Sequence, residues 1–127
     1  CQSISLQFGR LQDERRHDDL ADLMTADACY VRLGEELQVE DFIAWIKTTT
    51  PNKTTHFVTP TAFSVVEEDI AKGVTYYTLY LYNGEEEKPY PLEGPFVVGE
   101  YHEAFARTDD GWKIQRREAR IIFRKKI

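Results

Sequence analysis

The second half of this chain holds four long segments rich in Val, Ile, Thr and aromatic residues: Thr55–Glu67, Ile70–Tyr82, Val97–Arg107 and Trp112–Phe123. Such residues favour the pleated, half-buried backbone of a sheet. Glu68-Asp69 and Asp109-Asp110-Gly111 are short and polar, as hairpin turns require. Asn83–Pro95 carries Gly84, three successive Glu, Pro89, Pro91, Gly94 and Pro95, and reads as a long exposed loop. Four strands in series, joined in this way, predict an antiparallel sheet.

The first part of the chain has a different period. Ile4, Leu6, Phe8, Leu11, Leu20, Leu23 and Met24 fall on apolar stripes with charges between them, so residues 2–24 read as helix. The polar stretch Asp13–Asp19 marks a turn within it, after which Asp18 or Asp19 caps a short second helix over 19–24. Thr25–Ala28 connects to a short strand, Cys29–Leu33, and Gly34-Glu35-Glu36 is a turn. Val39–Thr48 follows as a helix with Phe42, Ile43, Trp45 and Ile46 on its buried side, and Thr49–Lys53 as a loop. Helices first and strands after is an α+β order, with the helices packed on one face of the sheet. Strands this long twist and curl. The expected shape is a cone, in which N-terminal helices close a strongly curved antiparallel sheet around a pocket.

A length of 127 residues is that of one domain, expected over 1–127. At 42% hydrophobic and 30% charged the composition is that of a globular chain with a real core. The net charge of −6, with no long basic run, argues against a nucleic-acid partner. No segment is long and apolar enough for a membrane span, and no signal peptide is visible. Cys1 and Cys29 are too few for a disulfide scaffold. A reduced, cytoplasmic setting is expected, with Cys29 a small buried hydrophobe.

Asp13 and His56 are the residues with the most chemistry to offer. A carboxylate beside an imidazole fixes the ring's tautomer, and the free nitrogen then takes and returns a proton near neutral pH. Read locally, Asp13 is one charge among Glu14, Asp18 and Asp19 on a solvated helix end, and His56 equally fits a satisfied core histidine. Tyr76, Tyr80 and Tyr82 alternate onto one face of their strand and Tyr77 onto the other; which face lines the pocket is not legible. His17 reads as solvated in a charged turn, and Arg116, Arg117 and Arg120 as surface or sheet-face charges, one of them a candidate to hold an anionic substrate. His102 and Glu103 are neighbours on a strand and point to opposite faces. Three His without a His-x-His or His-Glu-x-x-His spacing offer no metal site, and no Gly-rich phosphate loop or nucleophile elbow occurs. No metal or organic cofactor is expected.

The chain resembles the SnoaL-like, nuclear-transport-factor-two-like group, and within it the scytalone-dehydratase-like branch. Leu11–Ala28 looks like the family's first-helix pattern, an Asp followed by a charged turn and a short helix ending in Asp-Ala. Thr55-His56-Phe57-Val58 looks like its Thr-x-His-Phe strand, and Gly99–Arg107 with Asp110-Gly111-Trp112-Lys113-Ile114 like its last hairpin. The resemblance implies a cone with Asp13 and His56 facing the pocket as an acid–base dyad. It also exposes departures. The branch places tyrosines immediately before the Asp and on the first short strand; here Gln12 takes the first place, and the second falls near Arg32 or Leu33. The Ser and Asn of its penultimate strand fall near Gly99 and Tyr101. The ketosteroid-isomerase branch fits less well, because its general-base Asp falls near Arg32.

These readings give an expected function. A small cofactor-free lyase or isomerase, of dehydratase or cyclase type, acts on an aromatic, polyketide-like or alicyclic molecule, with His56 and Asp13 as catalytic pair. Tyr101, Tyr80, Tyr76, Phe8 and Trp45 are the expected substrate-binding residues. The rival reading is a non-catalytic ligand-binding or assembly domain, of the kind the small subunit of ring-hydroxylating dioxygenases provides. In either case the open, aromatic sheet face predicts a homodimer or homotrimer.

Overall fold

The computed structural model describes residues 1–49 and 52–126. Helix α1 (Gln2–Asp13) opens the chain and buries the face carrying Ser5, Phe8, Gly9 and Gln12. A 3₁₀ helix follows over His17–Leu23, then strands β1 (Met24–Arg32) and β2 (Glu35–Gln38), helix α2 (Val39–Lys47), and strands β3 (Lys53–Val58), β4 (Ala62–Val66), β5 (Ile70–Tyr82), β6 (Val97–Thr108) and β7 (Gly111–Arg124). The sheet order is β2-β1-β7-β6-β5-β3, with β4 also paired to β5. The protein is therefore α+β, with N-terminal helices laid on a large curved sheet that does not close.

Several details differ from the expectation. The segment expected as a helix over 19–24 is the 3₁₀ helix, and β1 begins already at Met24, so the Thr25–Ala28 connector is strand. Glu35 and Glu36 belong to β2, because the turn is made by Leu33 and Gly34, both at positive φ. That pairing of conformations is the two-residue hairpin whose twist matches its strands. The single strand expected over Thr55–Glu67 is two, broken at Thr59-Pro60-Thr61, where proline has no N–H to give the ladder. The sheet is mixed, since β1 runs parallel to β7. Within the loop expected over 49–53, Thr50 and Pro51 lie outside the described residues, and Lys53 already starts β3.

The main core joins the helices to the inner face of the sheet through Phe8, Leu20, Met24, Tyr30, Phe42, Ile46, Phe105 and Ile114. Register shifts between Val98 and Gly99 and between Ala104 and Phe105 bend the β6–β7 ribbon. Gly99 is required at the first of these. A Cβ there would sit 2.5 Å from the Arg120 carbonyl oxygen and 2.7 Å from the Tyr77 ring.

Two polar residues, Arg117 expected as a surface or sheet-face charge and His17 expected as solvated, are interior. Arg117 is fully buried, and donates to Glu103 Oε2 at 3.0 Å. Its guanidinium carbon lies 3.8 Å from the Tyr101 ring centre and 4.2 Å from that of Phe8. Glu103 Oε1 accepts from Ser5 and Thr75. Spacing along β7 could not separate the buried Arg117 from Arg116 and Arg120, which form ion pairs with Glu36 and Glu118 on the outer side. His17 is likewise buried, not solvated, and neither ring nitrogen has a hydrogen-bond partner among the described residues.

Candidate active site

Helix α1 reaches the sheet at Gly9. A Cβ on Gly9 would meet His56 Cβ at 3.4 Å and Val58 Cγ2 at 3.6 Å, so the glycine lets the helix lie directly on β3. Asp13 is four residues further along the same helical face, and this places its carboxylate over the start of β3. Asp13 Oδ2 accepts the His56 backbone N–H at 2.8 Å. Asp13 Oδ1 accepts the Thr54 hydroxyl at 3.0 Å and lies 2.6 Å from His56 Nδ1. Every partner of the carboxylate is a donor if Nδ1 carries the ring proton, so the geometry selects that tautomer and leaves Nε2 as the free nitrogen. Both side chains are largely shielded, at 9% exposure for His56 and 16% for Asp13.

His56 lines a cavity of about 360 Å³. Its walls are Tyr30, Trp45, Ile46, Tyr77, Leu79, Leu81, Phe96, Val97, Tyr101, Ala119 and Ile121, with Gln12, Thr49, Asn52, Thr54, Leu33, Arg15, Arg32 and Arg124 completing the lining. Asp13 stands behind His56, away from the wall. Tyr77 and Tyr101 stack with ring centres 4.1 Å apart, and Tyr77 lies 6.4 Å from the His56 ring. Burial raises the Tyr77 phenol to about 12 and holds Tyr101 and Tyr30 above the usual tyrosine range, against the opposing pull of Arg117. The three stay neutral hydrogen-bond donors at physiological pH. Among the described residues the buried Gln12 side-chain oxygen has no hydrogen-bond partner, and it offers an acceptor at the same wall.

Of the residues expected to bind substrate, Tyr101 and Trp45 line this cavity. Tyr76 and Tyr80 do not, because strand alternation turns Tyr77 inward and sends them to the opposite face. Tyr76 is exposed, and Tyr80 stands with Phe57, Tyr82 and Tyr90 around a second cavity beside the 90–94 loop. Phe8 does not either: it is sealed in the core against Tyr30 and Phe42. Sequence reasoning missed Tyr30, Arg15 and Arg32. Tyr30 had a signal, since it alternates with Arg32 within the strand expected over Cys29–Leu33, but a period of two does not say which face the helices cover. Among the described residues no group of His, Cys, Asp and Glu could hold a metal ion, and no helix is long and apolar enough to cross a membrane.

Solved structures share this architecture at low identity. A Novosphingobium aromaticivorans protein assigned provisionally as a scytalone dehydratase superposes with a TM-score of 0.82 at 15% identity, covering 98% of this chain and 83% of its own. The β subunit of an aromatic-ring-hydroxylating dioxygenase, a provisional assignment from the same organism, gives 0.76 at 11%, covering 98% and 88%. ActVI-ORFA of Streptomyces coelicolor gives 0.76 at 14%, covering 94% and 92%. No curated protein matches the chain. The SnoaL-like domain model matches residues 2–118, and with the helix-on-curved-sheet architecture just described this chain belongs to the SnoaL-like family.

Proposed function

We propose that this protein is a cofactor-free lyase or isomerase, of dehydratase or cyclase type, acting on an aromatic, polyketide-like or alicyclic molecule. The observation that carries this reading is the 2.6 Å contact between Asp13 Oδ1 and His56 Nδ1, with His56 lining an aromatic cavity. His56 Nε2 removes a proton from carbon next to a carbonyl. Asp13 orients the ring and stabilises the imidazolium as it forms. A neutral phenol of Tyr101, Tyr77 or Tyr30 donates to the developing enolate oxygen. The imidazolium then gives its proton to a departing hydroxyl, which leaves as water, or to the rearranged carbon. Such proton transfer contributes about 10²–10⁴-fold, and positioning in a largely apolar pocket adds to it.

The test is turnover of a panel of aromatic and alicyclic β-hydroxyketones, followed by the ultraviolet absorbance of the conjugated product. Wild type should convert at least one member. Folded His56→Ala and Asp13→Asn proteins should not, and full activity in either sinks the proposal. The rival reading, an assembly domain, draws on the likeness to the dioxygenase β subunit. It predicts no turnover, and co-purification with a larger iron–sulfur subunit.

A further inference from the structure

Charge in the cavity has one sign. Arg15, Arg32 and Arg124 line it and no Asp or Glu does, in a chain whose net charge is −6. Arg10, Arg16, Arg116, Arg117 and Arg120 each pair with a carboxylate elsewhere. Among the described residues, none of the three cavity arginines has a carboxylate within ion-pair distance. Arg32 instead lies over Trp45, its guanidinium carbon 4.2 Å from the ring centre, a cation–π contact that helps fix its position.

Arg15 is held there at a cost. It sits at φ 62°, just past the end of α1, with its N–H bonded to Gln12 O and the Arg16 N–H bonded to Leu11 O. That is the helix stop in which glycine is normally found, because the left-handed conformation crowds a side chain. The arginine side chain therefore occupies a place that local structure reserves for no side chain. It donates to Thr49 O at 3.1 Å and adds to the cavity wall.

Register links these charges to the dyad. His56 pairs with Leu79, Leu79 with Val97, and Val97 with Arg124, one row across β3, β5, β6 and β7. All four line the cavity. The row spans roughly 14 Å along the sheet at the usual strand spacing, and curvature shortens the gap across the cavity. An anion held at Arg124 and Arg32 would thus reach back to His56 through a body of one or two rings, lying against Tyr77, Leu79 and Phe96.

We propose that this cavity takes an aromatic or alicyclic carboxylic acid, its carboxylate held by Arg15, Arg32 and Arg124 and its ring body by the apolar wall. The planar forks of arginine suit a carboxylate. That the acid is also turned over rests on the lyase or isomerase reading; that it binds does not.

The probes are 2-naphthoate, its methyl ester and 2-naphthyl phosphate, with binding measured by calorimetry. The acid should bind roughly tenfold or more tightly than the ester at low salt, as charge-assisted hydrogen bonds do. The advantage should shrink as salt rises. Arg32→Gln and Arg124→Gln should each remove about tenfold from acid binding and leave the ester unchanged. Arg15→Gly should weaken the acid likewise without loss of thermal stability, since glycine suits that backbone. Arg107→Gln, away from the cavity, should change neither. An ester that binds as well as the acid, a phosphate that binds more tightly than the acid, or arginine variants with unaltered acid binding would each overturn the inference. Acid binding that vanishes in His56→Ala would overturn it too, by assigning the anion to the imidazole. Arginine-dependent acid binding without dyad-dependent turnover removes the enzyme reading and keeps this one. Dyad-dependent turnover of neutral hydroxyketones with no preference for acids does the reverse.

Discussion

At the scale of single residues the site is built from donors aimed at one carboxylate. Asp13 receives the His56 ring, the His56 backbone and Thr54, so it is orientated by three contacts from one strand. Asp13→Asn replaces an acceptor with a group that can also donate, and the imidazole loses its fixed tautomer. The expected result is a fall of about 10²–10⁴ in kcat with little change in stability. The ring ¹⁵N shifts should report a protonated Nδ1 and bare Nε2 in wild type, and a mixture in the variant. Asp13 and His56 were legible because the family pattern names their places. Tyr30 and Arg15 were not, since alternation along the expected strand does not say which face Tyr30 turns to the cavity, and Arg15 reaches it through a left-handed helix stop.

At the scale of elements, two contacts decide where α1 lies. Gly9 sets its distance from β3, and the buried Glu103 with Ser5 ties it to β6. Gly9→Val should push the helix from the strand, lengthen the Asp13–His56 contact and reduce activity more than the melting temperature. The Glu103–Arg117 pair is a different case. Both side chains are wholly buried, so Glu103→Gln leaves a guanidinium without its counter-charge among Phe8 and Tyr101. Denaturant unfolding should show a loss of about 3–5 kcal/mol, and Glu103→Leu combined with Arg117→Met should recover much of it.

At the scale of the molecule, the helical layer and the open sheet face have separate consequences. His17 is buried in the helical layer, and burial, helped by Arg15 and Lys47 and opposed by Asp18, lowers its pKa below the ordinary 6.5. The unfolded imidazole therefore takes a proton first, and the fold loses stability as pH drops from about 6.5 toward the lowered value. His17→Leu should flatten the melting temperature over that window while leaving it unchanged above. On the sheet's other side Phe57 is 61% exposed and Tyr76 55% exposed, with Tyr80 packed edge-on against Phe57. This aromatic patch predicts self-association. Sedimentation should give an oligomer for wild type and a monomer for Phe57→Lys with Tyr76→Glu.

By itself the sequence pointed to the order of helices and strands, the hairpin turns of the second half, and, through its likeness to a family, the pair Asp13 and His56 that meet in the structure. Periodicity and turn chemistry act over a few residues, and these features need no more. Which face of β5 turns inward, the parallel pairing of β1 with β7, the burial of Arg117 and His17, and the gathering of Arg15, Arg32 and Arg124 around one cavity were decided only in three dimensions. Each depends on which distant segments pack together, and a period of two along a strand marks two faces without saying which one the helices will cover.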